Sequence, residues 1–140
     1  MFVLDTDVIS RTSPLSKPDL NLQAWFSLYE AVSYLSVATL SELHLGTELA
    51  RRRGASRKAD NLQAWLDGVM VVFVDRLLPI DPPIARRTGE LLAKAEAAGQ
   101  NPGFVDACIA ATAEILEHRV VTFNARHFAV FDVPFGPPGN

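Results

Sequence analysis

Four residues of this 140-residue sequence combine a chemistry-bearing side chain with a position where ligands gather: Asp5, Glu42, Asp106 and Asn124. Asp5 follows the apolar run Phe2-Val3-Leu4, and Glu42 opens the helical pattern after the apolar segment Val32 to Val37. Asp106 lies in the first turn of another helical pattern, and Asn124 ends Val120-Val121-Thr122-Phe123. Open parallel sheets bind ligands outside the carboxyl ends of their strands, where helix N-termini also converge. If the apolar runs are such strands, three carboxylates share one edge, with Asp7 two residues past Asp5. Ionised carboxylates gathered there repel one another unless a cation sits between them. Oxygen donors without a Cys or His cluster suit Mg2+ or Mn2+ rather than zinc. Such an ion acidifies a bound water and neutralises charge on the oxygens of a phosphodiester, two ions about 4 Å apart dividing those tasks. Polymer phosphate is the substrate this chemistry suits.

Each acid also has an ordinary use. Thr39-Leu40-Ser41-Glu42 has the spacing of a helix capping box, Asp106 complements a helix dipole, and Asp5 caps a turn. Singly these uses suffice; together, the mutual repulsion favours the cation. His44, His118 and His127 show neither metal-ligand spacing nor a serine or cysteine partner, and read as surface or structural residues. The single cysteine, Cys108, excludes an internal disulfide and a cysteine-rich zinc site, and reads as a small buried hydrophobe.

The elements that must carry these residues alternate between strand and helix. Phe2 to Leu4 is a strand, and a loop marked by Ser13, Pro14 and Pro18 leads to a helix with Leu22, Trp25, Phe26 and Tyr29 on one face. Val32 to Val37 is a second strand, passing into a helix that starts at the capping box, has Leu40, Leu43, Leu45 and Leu49 as its apolar side, and ends at Gly54. Ser56 caps the next helix, carrying Leu62, Trp65, Leu66 and Val69, followed by extended pieces at Val71 to Val74 and Leu78 to Ile80. Asp81-Pro82 opens a helix that Gly99 stops. A further helix runs from Gly103 to Glu117, with Val105, Cys108, Ile109, Thr112 and Ile115 or Leu116 inward, before the Val120 strand and an edge strand at Val130 to Val133. This order predicts the α/β class, with a short parallel sheet of about four to five strands between helical layers. Residues 1–135 form one domain in this reading and 136–140 a frayed tail. Asn21-Leu22-Gln23-Ala24-Trp25 recurs as Asn61-Leu62-Gln63-Ala64-Trp65, without a third copy, and reads as chance or as paired helix faces.

With 49% apolar and 21% charged residues the chain is globular rather than disordered. Its longest apolar run, Val69 to Val74, is far below the roughly 20 residues of a membrane span. Without a basic n-region, and with Asp5 and Asp7 interrupting the first apolar stretch, the N-terminus does not read as a secretory signal, which predicts a cytoplasmic protein without a membrane partner. A net charge of −3 argues against holding nucleic acid by bulk electrostatics. Local charge differs: Arg51, Arg52, Arg53, Arg57 and Lys58 form a cluster that is either a solvated helix end or a contact for RNA or an acidic partner.

At these residues the sequence resembles the PIN-domain ribonucleases, and among them the VapC-like toxins of type II toxin–antitoxin pairs. The carriers are Phe2-Val-Leu-Asp-Thr-Asp-Val-Ile-Ser10, Ser36-Val-Ala-Thr-Leu-Ser-Glu-Leu-His-Leu-Gly46, Asp106-Ala-Cys-Ile-Ala-Ala-Thr-Ala113 and Val121-Thr-Phe-Asn-Ala-Arg-His-Phe128, spanning nearly the whole chain. The resemblance implies a three-layer PIN-like fold and a Mg2+-dependent endoribonuclease, with Mn2+ able to substitute. It places Asp5, Glu42 and Asp106 at the acidic metal-site positions, Asp5 and Asp106 as the direct ligands, and Thr6 at a supporting hydroxyl position. It also implies a homodimer and a small VapB-like antitoxin that lays a segment in a groove and blocks the site. Two positions depart from the pattern. Asp7 stands where the family commonly has Asn, so it either adds a carboxylate to the site or makes the turn hydrogen bonds of its loop. Asn124 stands at the fourth acidic position and supplies no negative charge, which bears on a second metal.

Two other readings compete. Leu4-Asp5-Thr6-Asp7 looks like the opening of haloacid-dehalogenase-type phosphatases, in which Asp5 would be a covalent nucleophile and Asp7 an acid/base group, although the Gly-Thr and the paired late Asp-Asp expected there are missing. The other is a catalytically weak PIN-like binding module, which Asn124 favours.

Overall fold

The computed structural model describes residues 1–139. Five short parallel strands form one sheet in the order β3-β2-β1-β4-β5: β1 (Phe2–Leu4), β2 (Ser33–Ser36), β3 (Leu77–Leu78), β4 (Arg119–Val121) and β5 (Phe135–Gly136). Seven helices connect them: α1 (Thr6–Ser10), α2 (Leu20–Tyr29), α3 (Val37–Arg52), α4 (Ser56–Val72), α5 (Pro82–Ala97), α6 (Phe104–Ile115) and α7 (Ala125–Phe128). The predicted α/β class and parallel sheet are therefore observed.

Strand alternation makes the layers, because successive side chains point to opposite faces. Val3 and Val120 turn to one face and pack with Ile84 and Leu91 of α5, Ile109 of α6 and Phe128 of α7. Leu4, Leu35 and Val121 turn to the other and pack with Val8, Leu22, Leu43, Leu66 and Val69 of α1 to α4. The buried alanines 107, 110, 111 and 113 of α6 leave no bulky side chain to hold its neighbours away. Register then aligns the strand ends: Val3 pairs with Tyr34 and Val120, and Leu4 with Val121. Asp5 continues that ladder, its N–H donating to the Val121 carbonyl at 2.9 Å.

Local punctuation explains several boundaries. Asp81 accepts the Ile84 N–H at 3.0 Å ahead of Pro82, and Asp19 accepts the Leu22 N–H at 3.0 Å. Gly54 (φ +83°) and Gly99 (φ +75°) occupy the left-handed conformation that ends α3 and α5.

Other expectations are corrected. β2 stops at Ser36, whose hydroxyl accepts the Ala38 N–H at 3.1 Å and starts α3 three residues before the expected capping box. Thr39 is consequently buried within the first turn and Glu42 lies in the second, so Thr39-Leu40-Ser41-Glu42 caps nothing. The inward face also differs: Ala38, Thr39, Leu43, Thr47 and Ala50 are buried while Leu45 and Leu49 are exposed, because packing against the sheet and the neighbouring helices sets which side turns in. Ile115 and Leu116 are likewise exposed at the end of α6. Ser56 is the first residue of α4 rather than its cap. Val71 and Val72 extend α4 instead of forming a strand, because Leu66, Val69 and Phe73 keep a helical spacing into the core. A 3-10 turn (Val74–Arg76) then leads to β3, which is shorter and one residue earlier than expected. The edge strand lies at Phe135–Gly136, since Phe131 and Val133 are buried side chains of a turn segment. Gly136 pairs with Val121 and so does not fray, while Asn140 lies outside the described residues. The short α1 was not anticipated. The repeated pentapeptide falls on α2 and α4, where Gln23 and Trp65 line the same groove of about 620 Å3. Among the described residues no helix is long and apolar enough to cross a membrane.

Candidate active site

Asp5 emerges from the central strand as the N-cap of α1, only 4% exposed. Its Oδ1 accepts the Thr6 N–H at 2.7 Å and its Oδ2 accepts the Thr122 hydroxyl at 2.8 Å. Both strands flanking β1 thus contribute, since α3 rises from the end of β2 and brings Glu42 to the same edge. There the Thr6 hydroxyl donates to Glu42 Oε1 at 2.5 Å and also lies 3.4 Å from the buried Thr39 hydroxyl. Asp106 stands in the first turn of α6, and its Oδ2 lies 3.1 Å from His127 Nδ1.

The charges of these carboxylates reach one another across the edge. Burial, then the charges of Asp7 and Glu42, push Asp5 up to about 6 against the hydrogen bonds from Thr122 and Thr6. Burial also pushes Asp106 up to about 6, reinforced by the charges of Asp5 and Glu42 and opposed by His127. The sequence-predicted trio therefore comes together at one sheet edge.

The remaining sequence candidates divide. Asp7 accepts the Phe123 N–H at 3.1 Å across 116 residues, so its carboxylate fastens α1 to the segment after β4. Burial raises its proton affinity, while the Phe123 N–H and the Arg11 charge lower it. Asn124 lies at the same edge, but its side-chain amide faces His127, 3.1 Å from Nε2, and its N–H donates to the Thr122 hydroxyl. Arg51 pairs with Asp60 at 2.9 Å and approaches Glu48, as does Arg52. Of that basic cluster, Lys58 lines the groove of about 490 Å3 that also contains Thr6 and Glu42.

Two residues at the site escaped the sequence reading. His127 was expected to be ordinary, yet it contacts both Asp106 and Asn124. Its signal was its position three residues after Asn124, one turn along a helix. Thr122 had a weaker signal, a hydroxyl residue at the end of a buried strand.

The donors fit a hard divalent cation: carboxylate and hydroxyl oxygens, with buried Asp5 and half-buried Asp106 carrying repulsion that a cation would relieve. Among the described residues no three His, Cys, Asp or Glu side chains already enclose one point.

The chain matches the PIN domain family over residues 2–133. It is 34% identical over 136 residues to Toxin FitB of Neisseria gonorrhoeae, covering 95% of this chain and 94% of that protein. It is 37% identical over 131 residues to VapC ribonuclease Y4jK of Sinorhizobium fredii, covering 91% and 90%. The fold superposes on the FitAcB crystal structure from Neisseria gonorrhoeae with a TM-score of 0.82 at 33% identity, covering 99% of this chain and 98% of that one. The DNA-bound VapBC structure from Salmonella typhimurium shares the fold, with a TM-score of 0.78 at 24% identity over 99% and 98% of the chains. These matches, with Asp7 spent on Phe123, displace the phosphatase reading of Asp5 and Asp7. A parallel sheet that gathers Asp5, Glu42 and Asp106 at one edge, in a chain matched from residue 2 to residue 133, belongs to the PIN domain family.

Proposed function

We propose that this protein is a Mg2+-dependent endoribonuclease, with Mn2+ able to substitute, and that it is the toxin of a toxin–antitoxin pair. The observation that carries the reading is the pair Asp5 and Asp106, on different elements, each raised to about 6 by burial and by neighbouring carboxylate charge. Asp5 and Asp106 would hold the cation directly, with Glu42 beside them. When bound, such an ion supplies an acidified water and neutralises charge on the phosphate. The chain's own groups do the orienting. Thr122 and the Thr6 N–H fix the two oxygens of Asp5, the Thr6 hydroxyl fixes Glu42, and His127 fixes Asp106. Asn124 leaves the fourth corner uncharged, and favours one tightly held cation over two.

Relatives support the partner. Similar chains occur in the FitAB and VapBC complexes, from which we infer a cognate VapB-like antitoxin here, in a homodimeric cytoplasmic toxin. Its RNA substrate follows from the ribonuclease relatives and the phosphodiester chemistry of the site. Lys58 lines the groove beside Glu42, where RNA or the antitoxin would lie, whereas Arg51 is spent on Asp60 and Arg52 on Glu48.

The test is cleavage of single-stranded RNA by the purified protein. Activity with Mg2+ or Mn2+, its loss on chelation, and a fall of several orders of magnitude in Asp5→Asn and Asp106→Asn are expected. Cleavage by either variant at the parent rate would overturn the site assignment. The reading as a binding module, which the uncharged Asn124 favours, predicts RNA or antitoxin binding without cleavage.

A further inference from the structure

An acidic edge that must admit a polyanion needs a cation placed to receive it. Arg11 stands at that edge. It follows α1 as its C-cap, and its guanidinium carbon lies 3.7 Å from the centroid of the Phe123 ring. Phe123 comes directly after Thr122, whose hydroxyl holds Asp5, and its N–H is held by Asp7. The backbone that carries the ring is thus tied to the carboxylates through Thr122 and the Phe123 N–H, and the Arg11 charge reaches Asp7.

Stacking engages the flat face of a guanidinium and leaves its N–H fork pointing outward in the plane. Among the described residues no hydrogen bond or ion pair occupies the side-chain fork of Arg11. The comparison with Arg76 is informative. That side chain also stacks, 4.7 Å from the Phe73 centroid, but donates to the carbonyls of Glu30, Ser33 and Val72 and to the Glu30 carboxylate. Arg76 is consumed in holding the fold, and Arg87 is consumed by Glu90 and Glu114. Arg11 is held over the ring but unspent, and an unspent guanidinium fork suits bidentate binding of a phosphate.

We propose that Arg11, held over the Phe123 ring, binds an RNA phosphate neighbouring the one that is hydrolysed. This rests on the RNA-hydrolase reading of the site. Phe123 holds the guanidinium in place before substrate arrives, so less side-chain freedom is lost on binding. The contact is sequence-independent, since it reaches the backbone rather than a base.

The experiment measures binding of a fluorescein-labelled 20-nucleotide single-stranded RNA in the Asp106→Asn background, and steady-state cleavage of the same RNA with Asp106 intact. Arg11→Ala is expected to weaken binding roughly three- to tenfold and to reduce the slope of log affinity against log salt by about 0.7, the value for one phosphate on a single strand. KM should rise while kcat stays within about twofold of the parent, as for an interaction made equally in ground and transition states. Phe123→Leu should reproduce part of the loss and Phe123→Tyr should restore it. Arg51→Ala, whose guanidinium is spent on Asp60, should change affinity less than twofold. Unchanged affinity and salt slope in Arg11→Ala would overturn the proposal, as would an equal loss in Arg51→Ala or a fall confined to kcat. No binding of this RNA by the parent would overturn it too. If the parent binds but does not cleave and Arg11→Ala still weakens binding, the hydrolase reading fails and the phosphate contact stands. Normal cleavage with an unaffected Arg11→Ala has the opposite meaning.

Discussion

The Thr122 hydroxyl donates to Asp5 Oδ2 at 2.8 Å, joining the ends of β4 and β1 across 117 residues in a buried contact. It fixes the orientation of the central carboxylate without adding charge. Thr122→Val keeps the shape and removes the donor, leaving a buried oxygen with one fewer partner. At neutral pH without metal this variant should lose about 1–3 kcal/mol in denaturant unfolding, with an unchanged m value. Thr122→Ser should recover most of it. A Thr122→Val as stable as the parent would mean that the hydroxyl is not what holds Asp5.

The raised proton affinities of Asp5 and Asp106 make stability depend on pH in a definite direction. Each shifts from 3.8 to about 6 in the folded chain. Between those values the folded state binds more protons than the unfolded state, so unfolding free energy falls as pH rises. The metal-free protein should therefore lose stability progressively from about pH 4 to about pH 6, with no further loss from this source above that. Melting curves in chelator across this range check it. Asp106→Asn should flatten the slope; an unaltered slope would place the titration elsewhere.

Metal should oppose that loss. A cation bound only by the folded state adds about 2.7 kcal/mol at a hundred times its dissociation constant, so Mn2+ or Mg2+ should raise the melting temperature of the parent. Asp106→Asn should be at least as stable as the parent without metal and gain much less from adding it. If Asp106 only complemented the α6 dipole, the variant would instead lose about 0.3–1 kcal/mol under both conditions and show the same metal-induced shift.

His127 contacts Asp106 through Nδ1, and an outer partner of this kind typically sets metal affinity by about 10- to 100-fold. His127→Ala should lower activity at limiting Mg2+ and approach the parent rate at saturating Mg2+. Calorimetric titration with Mn2+ should show the weakened binding directly. A deficit that persists undiminished at saturating metal would argue that His127 acts on substrate rather than through Asp106.

Much of this was readable one residue at a time. Asp81-Pro82, Gly54 and Gly99 mark helix ends because capping and left-handed turns depend on a few adjacent atoms. Asp5, Glu42 and Asp106 could be placed at one edge because parallel strands direct their carboxyl ends the same way, whatever their packing. The limits appear wherever a distant partner decides. Val71-Val72 has a strand's composition but continues α4, since Leu66, Val69 and Phe73 bury on the helical spacing. α3 buries Ala38, Leu43, Thr47 and Ala50 and leaves Leu45 and Leu49 exposed, a choice of face that tertiary packing makes and local apolar character does not. His127 and Thr122 look ordinary in sequence, and only the pairing of β4 beside β1 brings Thr122 onto Asp5 and α7 within reach of Asp106. The spacing of acids along the chain thus announced the chemistry, while the groups that hold those acids in place were chosen by strand register, which depends on packing over the whole sheet.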